Sequence, residues 1–133
     1  MSIDSVKIWM ATFAQAVRDR RTDKGKKLFA ENVIGFGTRT NMVKDRSSLI
    51  ENQWTPVWHA TSSFNFDYDN AIIDIYDNIA WVATTWISEL DNDGPKTGVK
   101  RFGRCTLILS RNGEGWKAIH THFSVRPDTK DDW

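Results

Sequence analysis

Cysteine is nearly absent from this chain: Cys105 is the one thiol in 133 residues. A single thiol excludes an intrachain disulfide and a multi-cysteine zinc site, and its expected use is as a small buried apolar residue. Surplus charge is missing as well, since 18 Lys and Arg stand against 17 Asp and Glu. A dedicated nucleic-acid binder carries a basic excess, so nucleic acid is not an expected partner. No apolar run approaches the ~18 residues that a spanning helix needs, and the opening Met-Ser-Ile-Asp-Ser-Val-Lys has no basic stretch followed by an apolar one. No membrane partner is expected, and the expected compartment is the cytoplasm. Internal repeats and low-complexity segments are also missing, and the length suits one domain over residues 1–133.

Tryptophan, by contrast, is plentiful, with seven in the chain. Large rings fill cores, line small-molecule pockets and anchor subunit contacts, so the count points to a pocket or an oligomer without choosing between them.

Along the chain, Ile3, Val6, Trp9, Met10, Phe13, Ala14 and Val17 recur at three- and four-residue intervals, which predicts an amphipathic helix over 3–20 with Asp4 or Ser5 as its cap. A shorter helix is expected over 23–29 and a strand over 32–40. Residues 44–59 read as a third helix begun at Asp45 or Arg46. Pro56 should kink or end it, because proline lacks the amide donor. Trp54 and Trp58, four apart, fall on one side of it.

From Ser63 the pattern turns to alternation. Residues 63–68 and 71–75 read as two strand segments joined by a bulge near Asn70, and Asp77-Asn78 turns the chain into a strand over 79–90. After a polar loop over 91–98 come strands at 99–110 and 116–125, and residues 127–133 read as a frayed tail. Helices followed by an antiparallel meander predict an α+β fold with helices on one side of a sheet. In the last strand, strict alternation puts Trp116, Ala118, His120, His122 and Ser124 on one face and Lys117, Ile119, Thr121, Phe123 and Val125 on the other.

The Val-Ile-Gly-Phe-Gly-Thr stretch over 33–38, the hairpin and Trp-Lys-Ala-Ile-His-Thr-His-Phe-Ser over 116–124 resemble the SnoaL-like branch of the nuclear transport factor 2-like superfamily. Glu51-Asn52-Gln53-Trp54 and the last strand are similar to the Glu-Asn-x-Trp and Trp-x-x-Val-His-x-His-x-Ser patterns of the calcium/calmodulin-dependent protein kinase II association domain. Phe123 stands where that domain has an arginine. The resemblance implies a cone-shaped barrel, its N-terminal helices packed on a strongly curved, mainly antiparallel sheet, and a homodimer formed through the outer sheet face. It also brings in the isomerases and dehydratases of the fold, in which an acid and a base work without a cofactor inside an apolar cavity.

Three functions follow as expectations. As a binder, the protein would take a small, partly apolar organic molecule among Trp54, Trp58, Trp86, His120 and Tyr68, with Arg104 anchoring a carboxylate or enolate. A salt bridge from Arg104 to Glu89 is the structural alternative. As a cofactor-independent isomerase, dehydratase or cyclase, it would use His122 and Glu89 to move protons and Arg104 to stabilise negative charge; Asp67, Asp74 and Tyr76 are further candidates. As a non-catalytic assembly module, it would bury the face of His120 and Trp116 against a second subunit. His120 and His122 could chelate a metal with His59 or Glu89, but no second clustered motif supports this, and no metal or cofactor is expected.

Overall fold

The three- and four-residue apolar spacing near the start forms α1 (Ile3–Arg18) in the computed structural model, which describes residues 2–127. Its cap is Ser2, one turn earlier than expected, whose side chain accepts from the Ser5 amide. Val6, Met10 and Ala14 on its inner stripe are fully buried. Arg20, at φ 56°, then turns the chain into α2 (Thr22–Lys26). This helix is shorter than predicted, because Phe29 already belongs to β1 (Phe29–Phe36). There it pairs with Ala118 and is completely buried, so tertiary burial overrides the local helical tendency.

A two-residue strand, β2 (Met42–Val43), precedes the helical run α3 (Arg46–Leu49), a π turn (Ile50–Trp54) and α4 (Thr55–His59). Pro56 does not end this run. It lies two residues after the π turn, in the first turn of α4, and the wider turn, closed by the Thr55 amide on the Ile50 carbonyl, accommodates the missing donor and lets the helix continue to His59.

The strands β3 (Thr61–Phe66), β4 (Ile72–Tyr76), β5 (Ile79–Leu90), β6 (Lys100–Arg111) and β7 (Trp116–Val125) complete a sheet of order β2-β1-β7-β6-β5-β3. β4 shares with β3 the same edge of β5, so the two are one broken strand, interrupted at residues 67–71. Every pairing is antiparallel except β1 with β7, which makes the sheet mixed. The sheet curves around the helices as an open cone, with α1 against β3 and β4. The tail expected over 127–133 lies, from 128 on, outside the described residues.

The inner face carries Val82 and Trp86 of β5, Cys105, Leu107 and Leu109 of β6, and Ala118 of β7, all buried. Each large side chain removed from water there contributes roughly 1.5–3 kcal/mol. β7 does not alternate strictly. Ile108 faces His120 and Leu109 faces Ala118, so Ile119 is an unpaired extra residue. The bulge corrects the predicted row: Trp116 and Ala118 point inward, whereas His120, His122 and Ser124 follow the outer face and Thr121 goes to the core. No helix of the described residues is long and apolar enough to cross a membrane.

Candidate functional site

A cavity of about 60 Å³ lies between the helices and the inner sheet face. It is smaller than the several hundred cubic ångströms expected of a small-molecule site, because aromatic rings occupy much of the space. Trp54 and Trp58 stack with ring centres 4.7 Å apart and planes 15° apart, and Phe13 meets the edge of Trp58 at 5.7 Å. Phe64, Trp86 and Phe123 close the opposite wall. The wall has a backbone cause at β6: a Cβ on Gly103 would lie 2.0 Å from the Trp86 ring, so only glycine lets the indole lie across the strand. The indole Nε1 then donates to the Arg104 carbonyl at 3.2 Å.

The polar groups of the lining fall into two sets. Gln53, buried in the π turn, is fully engaged by the protein: its Oε1 accepts from the Arg39 amide at 2.9 Å, and its Nε2 donates to the Thr38 hydroxyl at 3.0 Å. Thr61 donates to the Val57 carbonyl at 3.0 Å. Ser88 and Thr121, each 2% exposed, make no side-chain hydrogen bond among the described residues, and neither does Arg101. Arg101 lies 5.8 Å over the Trp86 ring and directly across from Ser88 in the β5–β6 register. An adjoining open vestibule of about 290 Å³ shares Thr38, Val57, Thr61 and Arg101 with the cavity.

The predicted site residues divide between the two faces. Trp54, Trp58 and Trp86 line the cavity. Arg104, His122 and His120 do not; with Glu89 they lie on the outer face, and the expectation that they surround the cavity is corrected. Arg104 donates to the Ser124 hydroxyl at 3.1 and 3.3 Å instead of meeting Glu89, which stands opposite Lys100. His120 Nδ1 lies 2.9 Å from the Ile34 carbonyl, and the Phe36 ring packs against both histidines at 5.5 and 5.1 Å. Tyr68 sits at the break between β3 and β4, donates to Asn65 at 2.6 Å and packs on Phe66, outside the cavity lining. Burial pushes its phenol pKa up. Asp67 is held below the usual carboxylate range by Asn70, and Asp74 faces Trp81 on the outer side. Among the described residues, no three His, Cys, Asp or Glu side chains converge as a metal site would require.

Sequence reasoning missed Arg101 and Gln53. Arg101 was discoverable by extending the buried row Leu109, Leu107, Cys105 and Gly103 by one more step of two. Gln53 gave no signal of its own beyond its place beside Trp54.

The SnoaL-like domain profile matches residues 6–128. No curated protein matches the sequence. Among solved structures, a nuclear transport factor 2-like superfamily protein of Salmonella enterica serovar Typhimurium superposes with a TM-score of 0.82 at 18% identity, covering 98% of this chain and 96% of the other. A protein of Xanthomonas campestris, provisionally described as a calcium/calmodulin-dependent protein kinase II association domain, gives 0.80 at 19% identity over 93% and 87%. A Streptomyces avermitilis protein of the same superfamily, provisionally described as a dehydratase, gives 0.80 at 14% identity over 95% and 96%. At these identities the structures bear on the fold, and the profile match on the family. An open, curved mixed sheet wrapped on N-terminal helices has the fold of the nuclear transport factor 2-like structures above, and the profile match over nearly its whole length places this chain in the SnoaL-like family.

Proposed function

We propose that this SnoaL-like domain binds a small, partly apolar organic molecule, its apolar end in the aromatic cavity and the remainder in the vestibule. The observation that carries this is the pair Ser88 and Thr121, two buried residues that line the cavity and whose hydroxyls make no hydrogen bond among the described residues. Hydroxyls turned toward a cavity offer a ligand or water within it a few polar contacts among apolar walls, the usual make-up of a small-molecule site. The small cavity takes only the tip of such a molecule, and the vestibule has room for the rest.

The same lining favours binding over turnover. Among the described lining residues none is Asp, Glu, His, Tyr or Cys, and a guanidinium keeps its proton at any physiological pH. An acid-base isomerase, dehydratase or cyclase needs a group that gives and takes a proton within hydrogen-bond reach of the substrate. The dehydratase description of the Streptomyces relative is therefore not extended to this chain. Amide chemical shifts followed during titration with small aromatic and aliphatic compounds test the proposal. Ser88, Thr121 and Phe123 should respond while the compounds remain unchanged; responses confined to Thr106 and His122 would place binding on the wrong face.

A homodimer formed through the outer sheet face is the second part of the proposal. That face exposes Ile72 at 61%, Tyr76 at 66%, Ile87 at 37% and Phe102 at 37%. An apolar area of this kind on a sheet is commonly covered by a partner. Light scattering should return twice the chain mass of 15.3 kDa.

A further inference from the structure

We infer that the ligand is an organic carboxylate, and that Arg101 and Arg39 at the vestibule select it by its charge. The inference rests on the binding function proposed above and adds the chemical class. Arg101 extends from the inner face of β6 at the point where cavity and vestibule join, and Arg39 lines the vestibule from the loop after β1. Neither side chain forms an ion pair or a hydrogen bond among the described residues.

Among the described residues no Asp or Glu lines either space, and Asp91, between the lining residues Leu90 and Asn92, is committed to Arg20 at 2.6 Å. Two cations thus face a half-enclosed space with no compensating acid among the described residues. Arg101 is positioned through its side chain and Arg39 through its backbone. The Arg39 amide is tied to Gln53 at 2.9 Å, which fixes the loop to the π turn, and the Arg101 guanidinium lies over the Trp86 ring at 5.8 Å. A guanidinium offers paired, planar donors that match a carboxylate, and Ser88, opposite Arg101 in the register, lines the adjoining cavity. The aromatic cavity beyond would hold the apolar group bearing the carboxylate. A phosphate monoester fits less well, since Pro56, on the vestibule wall, contributes no amide donor of the kind phosphate sites are built from.

The test compares benzoate with benzamide and phenyl phosphate by titration calorimetry and amide shifts on the full chain. Benzoate should bind at least about tenfold more tightly than benzamide, the range for a hydrogen bond to a charged group. Arg101→Gln should bring the two within about twofold, Arg101→Lys should keep part of the preference, and Arg39→Gln should lower it by a smaller factor. Arg104→Gln, on the outer face, should change nothing, and an unchanged melting temperature in Arg101→Gln confirms that the variant folds. Equal binding of benzoate and benzamide to the parent protein overturns the carboxylate assignment and leaves the binding function standing. A preference that survives Arg101→Gln overturns the assignment to this arginine, and tighter binding of phenyl phosphate overturns the choice of carboxylate. If no compound shifts the Ser88 and Thr121 amides, the binding function falls, and this inference with it.

Discussion

A methyl group at Gly103 would overlap the Trp86 ring, and the Ser124 carbonyl stands 2.4 Å from the same point, so neither a side-chain nor a backbone shift relieves it easily. Gly103→Ala should therefore lower stability by about 1–3 kcal/mol, the usual range for overpacking. In a Trp86→Leu background the loss should shrink, a coupling that urea unfolding of the four proteins of the cycle measures. Two residues along the same strand, Cys105 is buried in the inner face and its thiol pKa is pushed well up by that burial. The thiolate is the reactive form, so Cys105 should react with an aromatic disulfide reagent only as fast as the protein opens. A rapid stoichiometric reaction at neutral pH would contradict its placement. Arg101 shows how a residue escapes sequence reading: it stands at the exposed end of an otherwise apolar row, where alternation still holds but hydrophobicity no longer marks the face.

The helical run from α3 through α4 does two things as an element. It continues past Pro56, which lies in the first turn of α4, and its π turn presents Gln53 to the loop at Thr38, Arg39 and Thr40. Gln53→Ala would remove the part-buried bond to the Arg39 amide, at a cost of about 1 kcal/mol. Hydrogen exchange should then accelerate at Arg39 more than in α1. At the start of the run, the Asp45 carboxylate accepts from the Ser48 amide at 2.7 Å and from its hydroxyl at 3.1 Å, and these bonds hold its pKa below the ordinary carboxylate value.

A carboxylate lowered in the folded state contributes stability above its unfolded pKa, and that contribution disappears as pH falls through the lowered folded value. Asp45→Asn keeps a capping side chain and removes the titration. The difference in melting temperature between neutral and acid pH should narrow in the variant. The sequence showed where this run begins and where Trp54 and Trp58 lie. It did not show the π turn, because one extra residue in a helical turn leaves no mark on a three- and four-residue apolar spacing.

At the scale of the molecule, the order of elements and the α+β class were legible because each period, 3.6 for α1 and 2 for β5 and β6, is written over a dozen residues or more. The site was legible only in part. Alternation sorted Trp86 from Glu89 and Cys105 from Arg104, but it could not say which side the helices would cover, and on β7 the bulge changed the sorting midway. The covered side turned out to be that of Trp86, which sends Arg104, Glu89 and the histidines to the outer face. That face gives the last prediction. Phe102→Asp places a charge among Ile87, Phe102 and their neighbours and should convert a dimer seen by light scattering to a monomer, with the melting transition retained and the cavity titrations unaffected.

The unpaired Ile119 also constrains how this chain can change over descent. Substitutions before it and after it on the same parity answer to different selective demands, since residues 116 and 118 are held by the core and residues 120, 122 and 124 by whatever meets the outer face. Point changes on the two sides can accumulate independently. A one-residue deletion at this position would restore unbroken alternation and keep every side chain on its present face, Thr121 and Phe123 inward and His120 and His122 outward, whereas pairing without the bulge at the present count would bring the two histidines inside, so lineages of this chain can lose this residue but cannot lose the bulge while keeping it.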